Sequence, residues 1–180
     1  MRIAVLLADG FEEVEAVTVI DFLRRAGIDV LCTGVTGRDV VGAHAIRVST
    51  DTTVDEVSPD FDGVVIPGGM PGAEHVSADV DAMHLIREML ESGKLVGAIC
   101  AAPAVVLGRH QLLRGRTFTC FPGLEKEVRD GTFTDERVVT DRNLVTSRGP
   151  GTAAEFALAI VAELAGAQTA EKIRKTTLQP

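Results

Sequence analysis

Cys100 has the local context of a nucleophile. The apolar run Leu95-Val96-Gly97-Ala98-Ile99 leads into it and Ala101-Ala102-Pro103-Ala104 follows. The run, bounded by Gly93, reads as a buried strand. Pro103 suits the first position of a helix, where its missing N–H would be unpaired anyway. A side chain held proud of a sheet on a sharp strand-to-helix turn needs small neighbours, and Gly97, Ala98, Ala101 and Ala102 are small. Helix N–H groups aimed at the sulfur favour thiolate, so the sequence predicts a low-pKa, reactive cysteine. A free cysteine can also be a small buried hydrophobe, and Cys32, in mid-strand, is read that way.

Glu15 is the second candidate. A helix is expected over residues 13–26, closed by Gly27. Val19, Phe22 and Ala26 follow Glu15 at steps of four, three and four, which puts a carboxylate on the inward stripe. Glu12 and Glu13 are expected only to complement the helix dipole. Gly68-Gly69, directly after the apolar run Val64-Val65-Ile66, lets backbone approach a ligand or another loop closely. That places a second wall near Cys100, because doubly wound sheets form their sites at the carboxyl ends of strands.

The elements that must position these residues alternate. Residues 3–7, 28–33, 64–66 and 95–99 read as buried strands, with helices over 13–26 and 79–92; the latter turns Val80, Met83, Ile86, Met89 and Leu90 inward. Residues 34–42 read as loop, 45–53 as a half-exposed hairpin or edge pair, and 116–120 as a further strand. Residues 138–141 and 144–147 read as a hairpin turning at Arg142-Asn143. Thr152 and Glu155 have the spacing of a capping box before a deeply packed helix over 153–164, and 170–180 is a short helix or tail. The expected architecture is an α/β sandwich with a mostly parallel central sheet, in one domain covering 1–180 with its core in 2–166.

Composition narrows the classes. The chain has 180 residues, 46% of them hydrophobic, and a formal charge of −8, which argues against nucleic acid or an anionic membrane as a main partner. No apolar run approaches the roughly 20 residues that span a bilayer. Three widely spaced cysteines without CxxC give neither a disulfide framework nor a zinc site, so a reduced, cytoplasmic setting is expected.

Gly10-Phe11-Glu12-Glu13-Val14-Glu15, Pro67-Gly68-Gly69, Ala98-Ile99-Cys100-Ala101-Ala102-Pro103 and Thr146-Ser147-Arg148-Gly149-Pro150-Gly151-Thr152 together closely resemble the DJ-1 branch of the ThiJ/PfpI superfamily. The resemblance runs from Arg2 to about Gly166. It implies a flavodoxin-like three-layer sandwich, a homodimer, Cys100 as the reactive residue, Glu15 as its protonated partner, and the amides of Gly69 and Ala101 as oxyanion donors. It implies no metal and no cofactor. Members are described as glyoxalases acting on methylglyoxal, as deglycases of glyoxal adducts, and as redox-responsive chaperones of oxidative stress. Where some members carry a histidine before a proline, this chain has Phe121. Where peptidase-like members carry histidine after the nucleophile it has Ala101, which leaves a peptidase or amidase dependent on His75 or His110. The leading expectation is therefore a small carbonyl substrate, methylglyoxal, glyoxal or their adducts. The alternative is a redox sensor working through oxidation of Cys100.

Overall fold

The structure, a computed structural model, describes residues 1–57 and 60–180. The strands are β1 (Arg2–Leu7), β2 (Asp29–Gly34), β3 (Asp39–Val41), β4 (Arg47–Ser49), β5 (Thr52–Thr53), β6 (Gly63–Ile66), β7 (Leu95–Ile99), β8 (Thr117–Phe118), β9 (Thr132–Phe133), β10 (Val138–Asp141) and β11 (Leu144–Ser147). The α-helices are α1 (Glu13–Arg25), α2 (Gly72–Ala78), α3 (Val80–Glu91), α4 (Ala153–Ala165) and α5 (Ala167–Thr176). Seven strands form the main sheet in the order β10-β11-β7-β6-β1-β2-β5, all neighbours parallel except the β10-β11 hairpin.

Chain direction across that sheet explains its layers. The β1-α1-β2 crossover runs toward one edge, while β6-α2-α3-β7 runs toward the other. Right-handed crossovers in opposite directions put their helices on opposite faces. α1 packs against α4, and α4 against α5, while α3 packs on β6 and β7. Both faces are thus covered, which is why β1, β6 and β7 are apolar at consecutive positions rather than alternating. This is the flavodoxin-like sandwich expected from the sequence. The direction reverses between β1 and β6, so the carboxyl ends of β1, β6 and β7 open on the cleft where such folds bind ligands.

Several local expectations are corrected. Val80 is 80% exposed, because Asp79 caps α3 through the Ala82 N–H and Val80 is the first residue beyond that cap. Residues 39–41, read as loop, form β3 and pair antiparallel with β4, while β5 joins the edge of the main sheet beside β2. The expected strand at 116–120 shrinks to β8, which pairs with β9 outside the main sheet. The turn after Cys100 continues as a π-helix over Pro103–Gly108, with Pro103 at its start. No capping box forms at α4. Thr152 Oγ1 instead accepts the Gly149 N–H at 3.1 Å and shares a 2.7 Å bond with Ser147, and Glu155 pairs with Arg137. On α4, Phe156, Ala157, Ile160 and Val161 are buried and Leu158 and Leu164 only partly so.

Candidate active site

Cys100 directly follows β7, with φ at +64°. A residue with a Cβ in this left-handed region is strained by roughly 1–2 kcal/mol. The bonds that hold it there come from the flanking chains. Its N–H donates to the Ser147 carbonyl at 2.9 Å, and its own carbonyl accepts the Phe121 N–H at 2.8 Å. The backbone is therefore locked in a sharp elbow, and the residue is 9% exposed.

Glu15 comes up from the first turn of α1 and is completely buried. Its Oε2 accepts the Gly68 N–H at 2.7 Å, while Oε1, also out of water, has no hydrogen-bond partner among the described residues. Gly68 has to be glycine here. A Cβ on it would lie 2.5 Å from the Cβ of Cys100 and 2.9 Å from Glu15 Oε2. Gly69, at φ +89°, has no room either, since a side chain would run into the backbone of Gly10, Phe11 and Glu12. The two loops are stitched together by the Glu12 N–H, which donates to the Gly68 carbonyl at 3.0 Å. The Gly69 N–H of the glycine pair and the Ala101 N–H of the elbow itself both favour negative charge on the Cys100 sulfur.

The electrostatics of this pair differ from the sequence expectation in one respect. Burial lifts the Glu15 carboxyl to about 7, against the lowering pull of the Gly68 N–H and the Cys100 thiol. Burial also lifts the Cys100 thiol, to about 12, with the charge and hydrogen bonding of Glu15 adding to it and the Gly69 and Ala101 amides opposing it. A resting thiolate of low pKa, expected from the strand-to-helix turn alone, is not what these surroundings favour. Above neutrality the pair carries one negative charge and one proton between them, and the second proton is hard to remove. A thiolate forms most readily when Glu15 takes the proton from sulfur. The arrangement is suited to nucleophilic attack coupled to proton transfer, with two N–H donors at hand for a developing oxyanion.

None of the four histidines is hydrogen-bonded to Cys100. His75 Nδ1 lies 2.9 Å from the Asp9 carbonyl. His110 is held by Ser77 and, on its other nitrogen, by Arg87 at 3.2 Å, while His44 meets Glu13. The site is therefore a cysteine paired with an acid rather than with an imidazole. Cys32 and Cys120 are buried as well; burial is the main cause lifting them to about 11 and about 12. Glu12, Glu13 and His44 bring three ligand-type atoms within 4.8 Å of one another. The oxygens of Glu13 are already engaged by the backbone and imidazole of His44, so the group is a hydrogen-bonded cluster in its own right.

Sequence reasoning missed two members of this neighbourhood. Ser147 carries the carbonyl that fixes the elbow, a role no side-chain pattern announces. The sequence predicts only a helix-dipole role for Glu13, which is instead 5% exposed and whose carboxylate is bonded to the chain at His44. Gly68 was legible as half of a glycine pair, but its bond to Glu15 was not.

A sequence model of the DJ-1/PfpI family matches residues 1–163. Protein DJ-1 homolog B of Arabidopsis thaliana is 40% identical over 179 residues, which is 98% of this chain; the chain spans 41% of that protein's length. A Pyrococcus abyssi protein named a deglycase is 35% identical over 154 residues, covering 84% of this chain and 92% of its own. Among solved structures, a DJ-1 superfamily protein from Salmonella typhimurium superposes with a TM-score of 0.95 at 38% identity, covering 99% of this chain and 98% of its own.

Proposed function

The chain belongs to the DJ-1/PfpI family, and on that premise we propose that it is a cysteine-dependent, cofactor-free enzyme of small 2-oxoaldehydes or their adducts. Glyoxalase and deglycase chemistry share the same first step. The observation that carries the reading is the close packing of the Cys100 side chain and the buried Glu15 carboxyl around Gly68, with the Gly69 and Ala101 amides easing ionisation of the sulfur. The deglycase name of the Pyrococcus abyssi relative supports it.

With methylglyoxal the steps balance without any added oxidant. Glu15 takes the thiol proton as the Cys100 sulfur bonds to the aldehyde carbon, and the Gly69 and Ala101 amides hold the oxyanion. Returning that proton to oxygen gives a hemithioacetal. Glu15 then removes the hydrogen on the former aldehyde carbon and delivers it to the neighbouring carbon, while the hydroxyl proton passes to the neighbouring oxygen, so that carbonyl is reduced to an alcohol as the first carbon becomes a thioester. Water cleaves the carbon–sulfur bond, releasing lactate and regenerating the thiol. On a glyoxal adduct the sulfur adds to the free aldehyde carbon in the same way. Glu15 then takes the hydrogen from that carbon, which expels the amine or thiol, protonated, from the neighbouring carbon, and the enol left behind becomes the hydroxyacyl thioester that water cleaves. A homodimer in the cytoplasm belongs to this reading. Among the described residues no helix is long and apolar enough to cross a membrane.

The test is turnover of methylglyoxal to lactate by wild type and Cys100→Ser. Wild-type activity that vanishes in the variant is expected; a variant as active as wild type sinks the proposal. The second reading, a peroxide sensor, draws on the same two donors and acid, which would also hold the oxygens of an oxidised sulfur. Mass spectrometry after mild peroxide separates them: oxidation selective for Cys100 over Cys32 and Cys120, in a protein without aldehyde turnover, favours sensing.

A further inference from the structure

Glu13 takes no part in the chemistry above, yet its carboxylate is buried, and a buried charge needs partners. It has several, and apart from its own backbone N–H they lie in the connection between β3 and β4. Oε1 accepts the His44 N–H at 2.7 Å and the Ile46 N–H at 3.4 Å, and Oε2 faces Nδ1 of His44 at 2.9 Å. Oε2 of Glu12 is 3.8 Å from the same nitrogen. Burial works against the charge on Glu13, but the His44 imidazole and the backbone N–H groups outweigh it and hold the carboxyl below its usual range. Gly42 completes the fit, since a side chain there would collide with the Glu13 carboxylate.

The same connection is tied to the loop that leads into α1. The Gly10 N–H donates to the Val41 carbonyl at 2.7 Å and the Ala43 N–H to the Phe11 carbonyl at 2.8 Å. On the far side of the helix turn, the Glu12 N–H reaches the Gly68 carbonyl and Glu15 receives the Gly68 N–H. The exposed β3-β4 connection is therefore tied to the first turn of α1 both by the Glu13 carboxylate and by these backbone bonds, and the same turn carries the Glu12 and Glu15 bonds to Gly68 beside Cys100.

We infer that Glu13 is a positioning residue: its buried carboxylate clamps the 42–46 connection onto the first turn of α1 and thereby fixes Glu15 against Gly68 and Cys100. The inference rests on the reading of Cys100 and Glu15 as a working pair. Its test needs no substrate, so a protein inert toward methylglyoxal would sink the proposed function and leave this measurement standing.

The measurement is the pH profile of Cys100 alkylation by iodoacetamide, read by peptide mass spectrometry alongside Tm. In Glu13→Ala the His44 and Ile46 N–H groups lose their acceptor, Glu15 recedes, and its repulsion of charge on sulfur weakens. The profile should move to lower pH by about half a unit or more, roughly a threefold faster reaction at pH 8. Glu13→Gln keeps an acceptor oxygen for both N–H groups but loses the charge that pairs with the His44 imidazole, and should return the profile most of the way to wild type. A purely structural Glu13 would lower Tm in Glu13→Ala and leave the profile in place, and that result overturns the inference. Should Glu13→Ala fail to fold, His44→Ala decides. Its side chain is largely exposed, so the fold survives, and it removes only the outer bond. A smaller shift in the same direction is expected, and an unshifted profile overturns the inference.

Discussion

The Glu15 carboxyl and the Cys100 side chain meet across a single glycine. One methyl group on Gly68 would stand 2.5 Å from the Cβ of Cys100 and 2.9 Å from Oε2 of Glu15. With both groups packed against the same glycine and out of water, charge on one opposes charge on the other. The carboxyl ionises first, near 7, and the thiol keeps its proton to about 12.

Removing the carboxylate charge should therefore ease ionisation of the sulfur. Glu15→Gln loses the repulsion and offers an N–H to the thiolate, so its alkylation midpoint should drop by about 1–3 units relative to wild type. Glu15→Leu also loses the repulsion but adds hydrocarbon and no donor, so its midpoint should fall between the two. Coincident iodoacetamide profiles for all three proteins would take Glu15 out of the account.

The same buried acid makes stability depend on pH. Glu15 titrates near 4.5 when unfolded and about 7 when folded. Below 4.5 it is protonated in both states and its contribution is fully present. Between the two values the folded chain binds more protons than the unfolded one, so stability falls as pH rises, and the loss is complete above 7. At 1.36 kcal/mol per unit the loss is about 3 kcal/mol. Urea unfolding at pH 4.5 and pH 8 should show wild type losing about that much more than Glu15→Gln. Equal losses in the two proteins would mean that Glu15 is not held protonated by the fold.

The strained elbow gives a prediction of its own. At most buried positions alanine is more stable than glycine, because glycine loses more backbone freedom on folding. At φ +64° the order should reverse, since glycine has no Cβ to strain. Cys100→Gly is expected to be more stable than Cys100→Ala by about 1 kcal/mol, measured by chemical denaturation. A variant pair in the usual order would show that the turn relaxes once sulfur is gone.

What the sequence alone determined is whatever depends on neighbours along the chain. The apolar runs of β1, β6 and β7 announced a sheet covered on both faces. The spacing of Glu15 with Val19, Phe22 and Ala26 put an acid on the inward side of α1, and the small residues around Cys100 announced a sharp turn. The tertiary structure decided what depends on partners far away in the chain. Glu13 meets a backbone N–H 31 residues on, and Glu15 one that is 53 residues on. Thr152 turned to Gly149 and Ser147 instead of capping α4, and Arg137 drew Glu155 away. The proton affinity of Cys100 belongs to this second group. A helix start favours thiolate, but desolvation and the charge of Glu15 are set by three-dimensional surroundings, and here they prevail.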